Sequence, residues 1–510
     1  MINALKEVES RRRKILEMGG QEKIEKLRKS GKLTARERVE CLLDENSFVE
    51  LQPFVESRNK DFGLDGLPAD GVITGYGTVD GRPVCVYAQD FTVLGGSLGE
   101  MHGLKIARLL DFALDAGIPV IGLCDSGGAR IHEGVDSLKS YGEIFRRNVE
   151  ASGRIPQINV IMGPCAGGAV YSPALGDFVI MTKNRSCHMF VTGPKVIKAV
   201  TGEDVSYSEL GGWEVHAARS GNCHLVADND VKALQLVRKL LSYLPLNSGE
   251  YPPVVNTGDD PMRKTPEIYE IVPEDQRKPY DVRMLIKAVV DNGEFFEIQP
   301  QFAPNATVGF ARIDGKSVGI VANNPWFYAG CLDVDASDKI ARFIRFCDAF
   351  NIPLITLVDV PGFLPGVEQE YRGVIRHGAK IIYAYSEASV PLITVVVRKA
   401  YGGAYIAMGS KHLGADIVYA FPTAEIAVMG PEGAAEIIFR REIESSKNPE
   451  EMREKMVEEY RRRFANPTRA AARGYVDDVI DPQYTRIRIA SALRVLERKQ
   501  KRRKHGNIPL

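Results

Sequence analysis

The chain carries its own outline twice, and this repeat limits its fold more than any other feature. Ile118-Pro119-Val120-Ile121-Gly122-Leu123-Cys124-Asp125 returns as Ile352-Pro353-Leu354-Ile355-Thr356-Leu357-Val358-Asp359, 234 residues further on. The same offset carries Asp80-Gly81 onto Asp314-Gly315 and Lys105-Ile106-Ala107-Arg108 onto Lys339-Ile340-Ala341-Arg342. One residue later in register, Ile155-Pro156 through Gly167-Gly168 matches Val390-Pro391 through Gly402-Gly403. A period this long marks a duplicated domain and not a solenoid. At 510 residues the chain also exceeds what one hydrophobic core holds. Two α/β domains of one architecture are therefore expected: residues 1–250 with their N-terminal helices, and 281–510. Between them, 251–280 is rich in Pro, Gly, Asn and Asp and reads as a linker.

Each half has the same order of signals. An Asp-Gly dipeptide, suited to the positive φ angles of a tight hairpin, comes first. An amphipathic helix follows (104–116 and 338–350), then the apolar strand after Ile-Pro, which ends in Asp and a glycine turn. A second helix (137–151 and 371–388) leads to a second apolar strand (Ile158–Met162 and Leu392–Val397) and a Gly-Gly turn that opens a further helix. Continuous apolar strands alternating with helices indicate a mostly parallel, buried sheet with ligands at the strand carboxyl ends. The first forty residues read as charged helices, with a capping box at Thr34-Ala35-Arg36-Glu37.

Composition excludes several classes. The 66 basic and 66 acidic residues cancel, so no global field draws the chain to nucleic acid or to an anionic membrane. An acidic ligand has to be met locally. No apolar run reaches the length of a membrane span, and the charged start lacks a signal-peptide core, which points to a cytoplasmic protein. The eight cysteines are scattered without a C-x-x-C pair and read as reduced core residues, neither zinc ligands nor disulfides. No phosphate-binding G-x-x-x-x-G-K-[ST] loop or dinucleotide G-x-G-x-x-G is present. Asp333 to Asp338 lacks the glycine and distal glutamate of a calcium loop and reads as a helix N-cap. The basic tail from Arg498 to His505 reads as a solvated helix end.

Two glycine turns in each half invite a chemical reading. They are Ser126-Gly127-Gly128-Ala129 and Ala166-Gly167-Gly168-Ala169 in the first, and Val360-Pro361-Gly362-Phe363 and Tyr401-Gly402-Gly403-Ala404 in the second. Glycine lets backbone approach a ligand closely, and amides at a helix start point outward, unpaired and positively polarised. Converging amides of this kind make an oxyanion hole. Each turn alone could serve only a tight strand-to-helix connection. Recurrence of the pair in both halves favours two holes, and so two oxygens to stabilise.

Longer stretches around these turns resemble the carboxyltransferase (β) subunits of propionyl-CoA and related biotin-dependent acyl-CoA carboxylases. They are Asp125-Ser-Gly-Gly-Ala-Arg130-Ile-His-Glu-Gly134, Gly163-Pro-Cys-Ala-Gly-Gly-Ala169, Asp359-Val-Pro-Gly-Phe-Leu-Pro365, Arg398-Lys-Ala-Tyr-Gly-Gly-Ala-Tyr405 and Pro422-Thr-Ala-Glu-Ile-Ala-Val-Met-Gly430. The resemblance implies two tandem crotonase-like domains and a homohexamer, with each site formed between the first domain of one chain and the second domain of another. It also implies an acyl-CoA on the first domain and biotin on the second. Carried over, Gly167 and Gly168, assisted by Gly128, Ala129, Arg130 and Ala166, would hold the thioester. Gly403 and Ala404 would hold the ureido oxygen of biotin, with Gly362, Phe363, Tyr401, Gly402, Tyr405 and Ile406 around it. The chain has neither an A-M-K-M-like biotinylation site nor an ATP-grasp glycine loop. The resemblance therefore implies a biotin carboxyl carrier protein and a biotin carboxylase subunit on other chains. Similar chains serve as α subunits of sodium-pumping methylmalonyl-CoA decarboxylases, the one case that would bring a membrane partner. Two rival readings remain: a crotonase-type hydratase or isomerase using Glu133 and Glu143 to move protons, and a non-catalytic scaffold.

Overall fold

The apolar runs form the central strands of two eight-stranded sheets with one strand order. The computed structural model describes residues 1–499 and 506–507, so the tail positions 500–505 lie outside the described residues. The chain divides into a first unit, Met1–Tyr251 joined by Gly506 and Asn507, and a second unit from Pro252 onward. The stretch expected as a linker therefore falls within the second unit from Pro252 on, where Thr265 and Ile268 are fully buried.

In the first unit the strands are β1 (Val49–Leu51), β2 (Val72–Val79), β3 (Arg82–Gln89), β4 (Val120–Ser126), β5 (Gln157–Ala166), β6 (Phe178–Thr182), β7 (His188–Phe190) and β8 (Leu225–Ala227). The order is β1-β2-β3-β4-β5-β6-β8, with β7 paired to the end of β5. In the second they are β9 (Phe295–Ile298), β10 (Ala306–Ile313), β11 (Lys316–Asn323), β12 (Leu354–Val360), β13 (Leu392–Tyr401), β14 (Ile417–Ala420), β15 (Glu425–Ala427) and β16 (Asp478–Val479). Their order, β9-β10-β11-β12-β13-β14-β16 with β15 on β13, repeats the first. The strands from β3 to β8 and from β11 to β16 pair in parallel.

Local chemistry explains the register. Asp80-Gly81 and Asp314-Gly315 turn the hairpins with φ of 51° and 73°, and 56° and 72°, the left-handed pair that a two-residue turn needs. In each unit a carboxylate braces that turn: Gly81 N donates to Asp44 at 2.8 Å, and Gly315 N donates to Asp291 at 2.8 Å. The long helices Glu100–Ala116 and Val334–Ala349 bury a lysine apiece, and each ammonium is capped by carbonyls. Lys105 reaches Ala69 and Val72, and Lys339 reaches Gln299, Phe302 and Ala306. The expected capping box at Thr34 and Glu37 is present, and Asp333 caps its helix by accepting from Ala336 N at 2.8 Å.

Candidate active site

In the first unit, parallel pairing brings two turns together. The β4–β5 ladder runs on to Ser126 opposite Cys165, so both strands end side by side. Gly128, at φ 101°, sits so close to the end of β5 that a Cβ there would lie 2.7 Å from the Ala166 carbonyl oxygen. Leu98 clamps the turn from the other side, donating to Gly128 O at 2.9 Å and accepting from Arg130 N at 2.9 Å. After Ala166 the chain turns at Gly167 (φ 59°) into the single helical turn Gly167–Val170. The amides of Gly167, Gly168 and Ala169 occupy its first positions, where a helix offers no acceptor and carries its positive end. Under Gly168 lies the ring of Tyr141, 3.2 Å from where a Cβ would stand.

Arg130 departs from the expectation that it would contact a ligand. Its guanidinium is buried and already engaged by Asp70, by Glu133 at 2.7 Å and by Ser97 O at 2.8 Å. It fixes the Gly128-Ala129 turn from behind. Glu133 completes the same network by accepting from Glu100 N, capping the helix that begins there. Glu143 lies on an open helix face, paired with Arg147 at 2.6 Å. Neither glutamate stands free as a proton carrier.

The second unit repeats the cradle with more room. Gly402, at φ 60°, opens the helix Gly402–Ala407 directly after β13. A Cβ on Gly403 would meet nothing within 4 Å, and Ala404 is fully buried behind it. The open side is a cavity of about 580 Å³ that Gly402, Gly403, Tyr405 and Ile406 line together with Ile426 and Tyr460. The Tyr405 hydroxyl is shielded from solvent and finds no partner among the described residues, and burial pushes its phenol up to about 12.

Three expected members of this set support the cradle without lining the cavity. Tyr401 donates its hydroxyl to Glu425, which also accepts from Arg461 Nε at 2.7 Å; burial and then the Glu425 charge raise the phenol. Gly362 is held by Leu332, whose amide donates to its carbonyl at 3.1 Å, and Phe363 packs on Gly378, which has no room for a Cβ against that ring. The Leu332–Phe363 bridge repeats the Leu98–Ala129 bridge of the first unit.

Beneath each cradle lies a buried carboxylate at the end of β4 or β12, and the two are neutralised differently. Asp125 meets Lys32 at 2.6 Å and Arg38 at 3.0 Å, both reaching in from the N-terminal segment. Asp359 meets Arg398 of β13 at 2.8 Å. The residue of β5 that corresponds to Arg398 is Gly163, and a Cβ there would strike both Asp125 and Lys32. Arg38 also pairs with Asp230 at 2.9 Å. Sequence patterning does not reveal these partners, which lie 87 residues or more from Arg38 along the chain.

Among the described residues no group of three or more His, Cys, Asp or Glu side chains could hold a metal ion, and all eight cysteines are free. No helix among them is long and apolar enough to cross a membrane. Two copies of one α/β unit each end a central strand in a glycine turn that opens a helix, at Gly167 in the first and Gly402 in the second. The chain belongs to the carboxyl transferase domain family, whose model matches residues 26–508. It is 57% identical to the propionyl-CoA carboxylase carboxyltransferase subunit of Haloferax mediterranei, over 100% of both chains. It is 56% identical to the methylmalonyl-CoA decarboxylase subunit alpha of Veillonella parvula, over 96% of each. A crystal structure of transcarboxylase 12S, a hexamer with methylmalonyl-CoA and methylmalonic acid bound, superposes with a TM-score of 0.96 at 55% identity, over 100% of this chain and 98% of that one. The protein is thus a carboxyltransferase of two tandem crotonase-like domains.

Proposed function

We propose that the chain moves a carboxyl group between carboxybiotin, carried by a biotin carboxyl carrier protein that a biotin carboxylase subunit charges, and the α carbon of propionyl-CoA or methylmalonyl-CoA. The observation that carries this reading is the duplicated cradle: a transfer between two carbonyl-bearing partners needs two oxygens held, and each unit supplies one set of amides. The second cavity has room for a small ring, between apolar side chains and the polar Arg469, Arg473 and His412 that also line it. Gly403 leaves its mouth free, Ile406, Ile426 and Tyr460 give apolar walls, and the Tyr405 hydroxyl remains unpaired. When bound, carboxylated biotin supplies the CO2 and, through its ureido nitrogen, the base for the α-proton.

The chain's own contribution is electrostatic. The Gly167 and Gly168 amides, with the Gly128-Ala129 turn, hold the thioester oxygen, where negative charge grows as the α-proton leaves. Gly403 and Ala404 hold the ureido oxygen, and Tyr405, protonated at neutral pH, has a hydrogen bond to donate beside them. Loss of one such donor in a comparable acyl-transfer site costs roughly 3–4 kcal/mol, so two such sets supply much of the barrier reduction.

Ile406 on the cavity wall bears on acyl length. One methylene against an apolar surface is worth about 1–3 kcal/mol, so propionyl-CoA and acetyl-CoA are both turned over, with propionyl-CoA favoured about tenfold or more in kcat/KM. A direct comparison of the two thioesters with the partner subunits checks this, and failure to use propionyl-CoA sinks the substrate assignment. The reverse direction, as in methylmalonyl-CoA decarboxylases, uses the same groups and is set by the partner chains.

A homohexamer follows from the same reading and is supported by unpartnered apolar side chains. Ile131, Val135 and Leu138 stand in solvent just past the first unit's Gly128 turn, and Val367, Tyr371 and Ile375 stand in solvent past the second unit's Gly362 turn. Val135 is 75% exposed and Ile375 79%, so charging them leaves the fold of each chain intact. Val135→Asp with Ile375→Asp is expected to shift the particle mass in solution to smaller species and to abolish transfer. A hexamer of unchanged mass would remove these faces from the interface.

A further inference from the structure

We infer that Tyr141 is a positioning residue of the first cradle: its ring supports Gly168 from below, and a single water held in the core fixes its hydroxyl, so that the amide stays aimed at the thioester oxygen. The inference rests on the thioester reading of that cradle. Tyr141 comes from the helix Val135–Ala151 and is 4% exposed. Its ring lies 3.2 Å from where a Cβ on Gly168 would stand. Its hydroxyl is shielded from solvent and finds no partner among the described residues. Burial raises the phenol above its ordinary range, so the proton stays on and needs an acceptor. Ser126, whose side chain offsets part of that rise, accepts from Gly128 N at 3.2 Å. One side chain thus bears on both turns of the cradle.

Beside Tyr141 the core leaves a cavity of about 20 Å³, the size of one water. Tyr87, Gln89 and Ser172 border it, together with Ala169 of the cradle itself. Tyr87 donates to Asn159 at 3.1 Å and Ser172 to Asn148 at 2.9 Å, so each oxygen keeps a lone pair with which to accept. A water that accepts from Tyr141 and donates to those two oxygens makes three bonds, the usual number for a buried water. The duplication shows that packing alone does not require the hydroxyl. Glu150-Ala151-Ser152 matches Glu387-Ala388-Ser389, which sets Gly378 opposite Tyr141 in the repeat. There the Phe363 ring takes the room: a Cβ on Gly378 would lie 2.7 Å from it, and the first unit has Ala129 at the corresponding turn. The second unit therefore fills this layer with a plain hydrocarbon ring. The first carries a buried hydroxyl at the cradle assigned to the thioester, where the charge of the developing enolate falls. A buried hydroxyl is costly unless a partner is supplied, and a reacting group misplaced by about an ångström can lose about a hundredfold in rate.

The test uses the full chain with methylmalonyl-CoA and free biotin. Tyr141→Phe keeps the ring and removes the hydroxyl. It is expected to lower kcat about tenfold or more, with KM within about twofold and the melting temperature within about 2 °C of wild type. Ser172→Ala, which removes one acceptor of the water, should lower kcat in the same direction by a smaller factor. Crystals of the wild type should show an ordered water within hydrogen-bond distance of Tyr141 Oη, and crystals of Tyr141→Phe should not. Wild-type kcat in Tyr141→Phe overturns the assignment. So does a loss of kcat that comes with a melting temperature lowered by more than about 5 °C, because packing then accounts for it. If the wild type shows no biotin-dependent turnover the thioester reading fails, and the density beside Tyr141 still decides the water site.

Discussion

Gly403→Val is expected to lower carboxyl transfer by about 100- to 1,000-fold while leaving the melting temperature within about 2 °C of wild type. The expectation comes from what surrounds the site. Gly403 does not occupy the left-handed backbone region, and its Cβ would project into open space, so valine meets no steric barrier to folding. The same isopropyl group would fill the mouth of the cavity and screen the cradle amides from a bound oxygen. Gly168→Val should be as inactive but is a less clean experiment, because its Cβ presses on the Tyr141 ring at 3.2 Å and disturbs the core beneath. Gly402 and Gly167 are poorer still, since their φ angles of 60° and 59° strain any side chain. A folded Gly403→Val enzyme with wild-type turnover would remove the second cradle from the mechanism.

Arg38→Met is expected to cost about 3–5 kcal/mol, lowering the melting temperature of the first unit by about 10 °C. Arg38 is 1% exposed, and it donates to Asp125 at 3.0 Å, to Asp230 at 2.9 Å and to Met162 O at 3.3 Å. Removing it leaves Asp230 without a counter-ion and Asp125 with Lys32 alone, inside a core that cannot solvate them. The loss should also reach function, because Asp125 sits directly below the turn that carries Gly128. Calorimetric unfolding checks the first effect, and KM for the thioester checks the second. A shift below about 2 °C would show that water or Lys32 replaces the guanidinium at little cost.

What was readable in the sequence had short-range causes. The Asp-Gly hairpins, the Thr34 capping box and the Gly-Gly helix starts each depend on residues a few positions apart, and each has its expected conformation, while the duplication shows as like stretches 234 residues apart. Arg130 was misread because its motif position carries no record of burial; Asp70, 60 residues earlier, takes up its charge. Tyr401 has the same history with Glu425 and Arg461. The short strands β7 and β15, which flank the cradles, went unseen because three residues show no period. The exchange of Gly163 for Arg398 between the halves is legible only once the partners of Asp125 and Asp359 are in view. The cavity beside Tyr141 joins residues from several separate segments, none of which marks it alone.

The central claim is that backbone amides of both halves serve one carboxyl transfer, and free biotin in place of the carrier protein tests it most directly. The isolated chain, given methylmalonyl-CoA, should release propionyl-CoA and CO2 at a rate that rises with added biotin, and that dependence should vanish in Gly403→Val. Methylmalonyl-CoA loss that ignores biotin, or hydration of crotonyl-CoA by the purified chain, would contradict it.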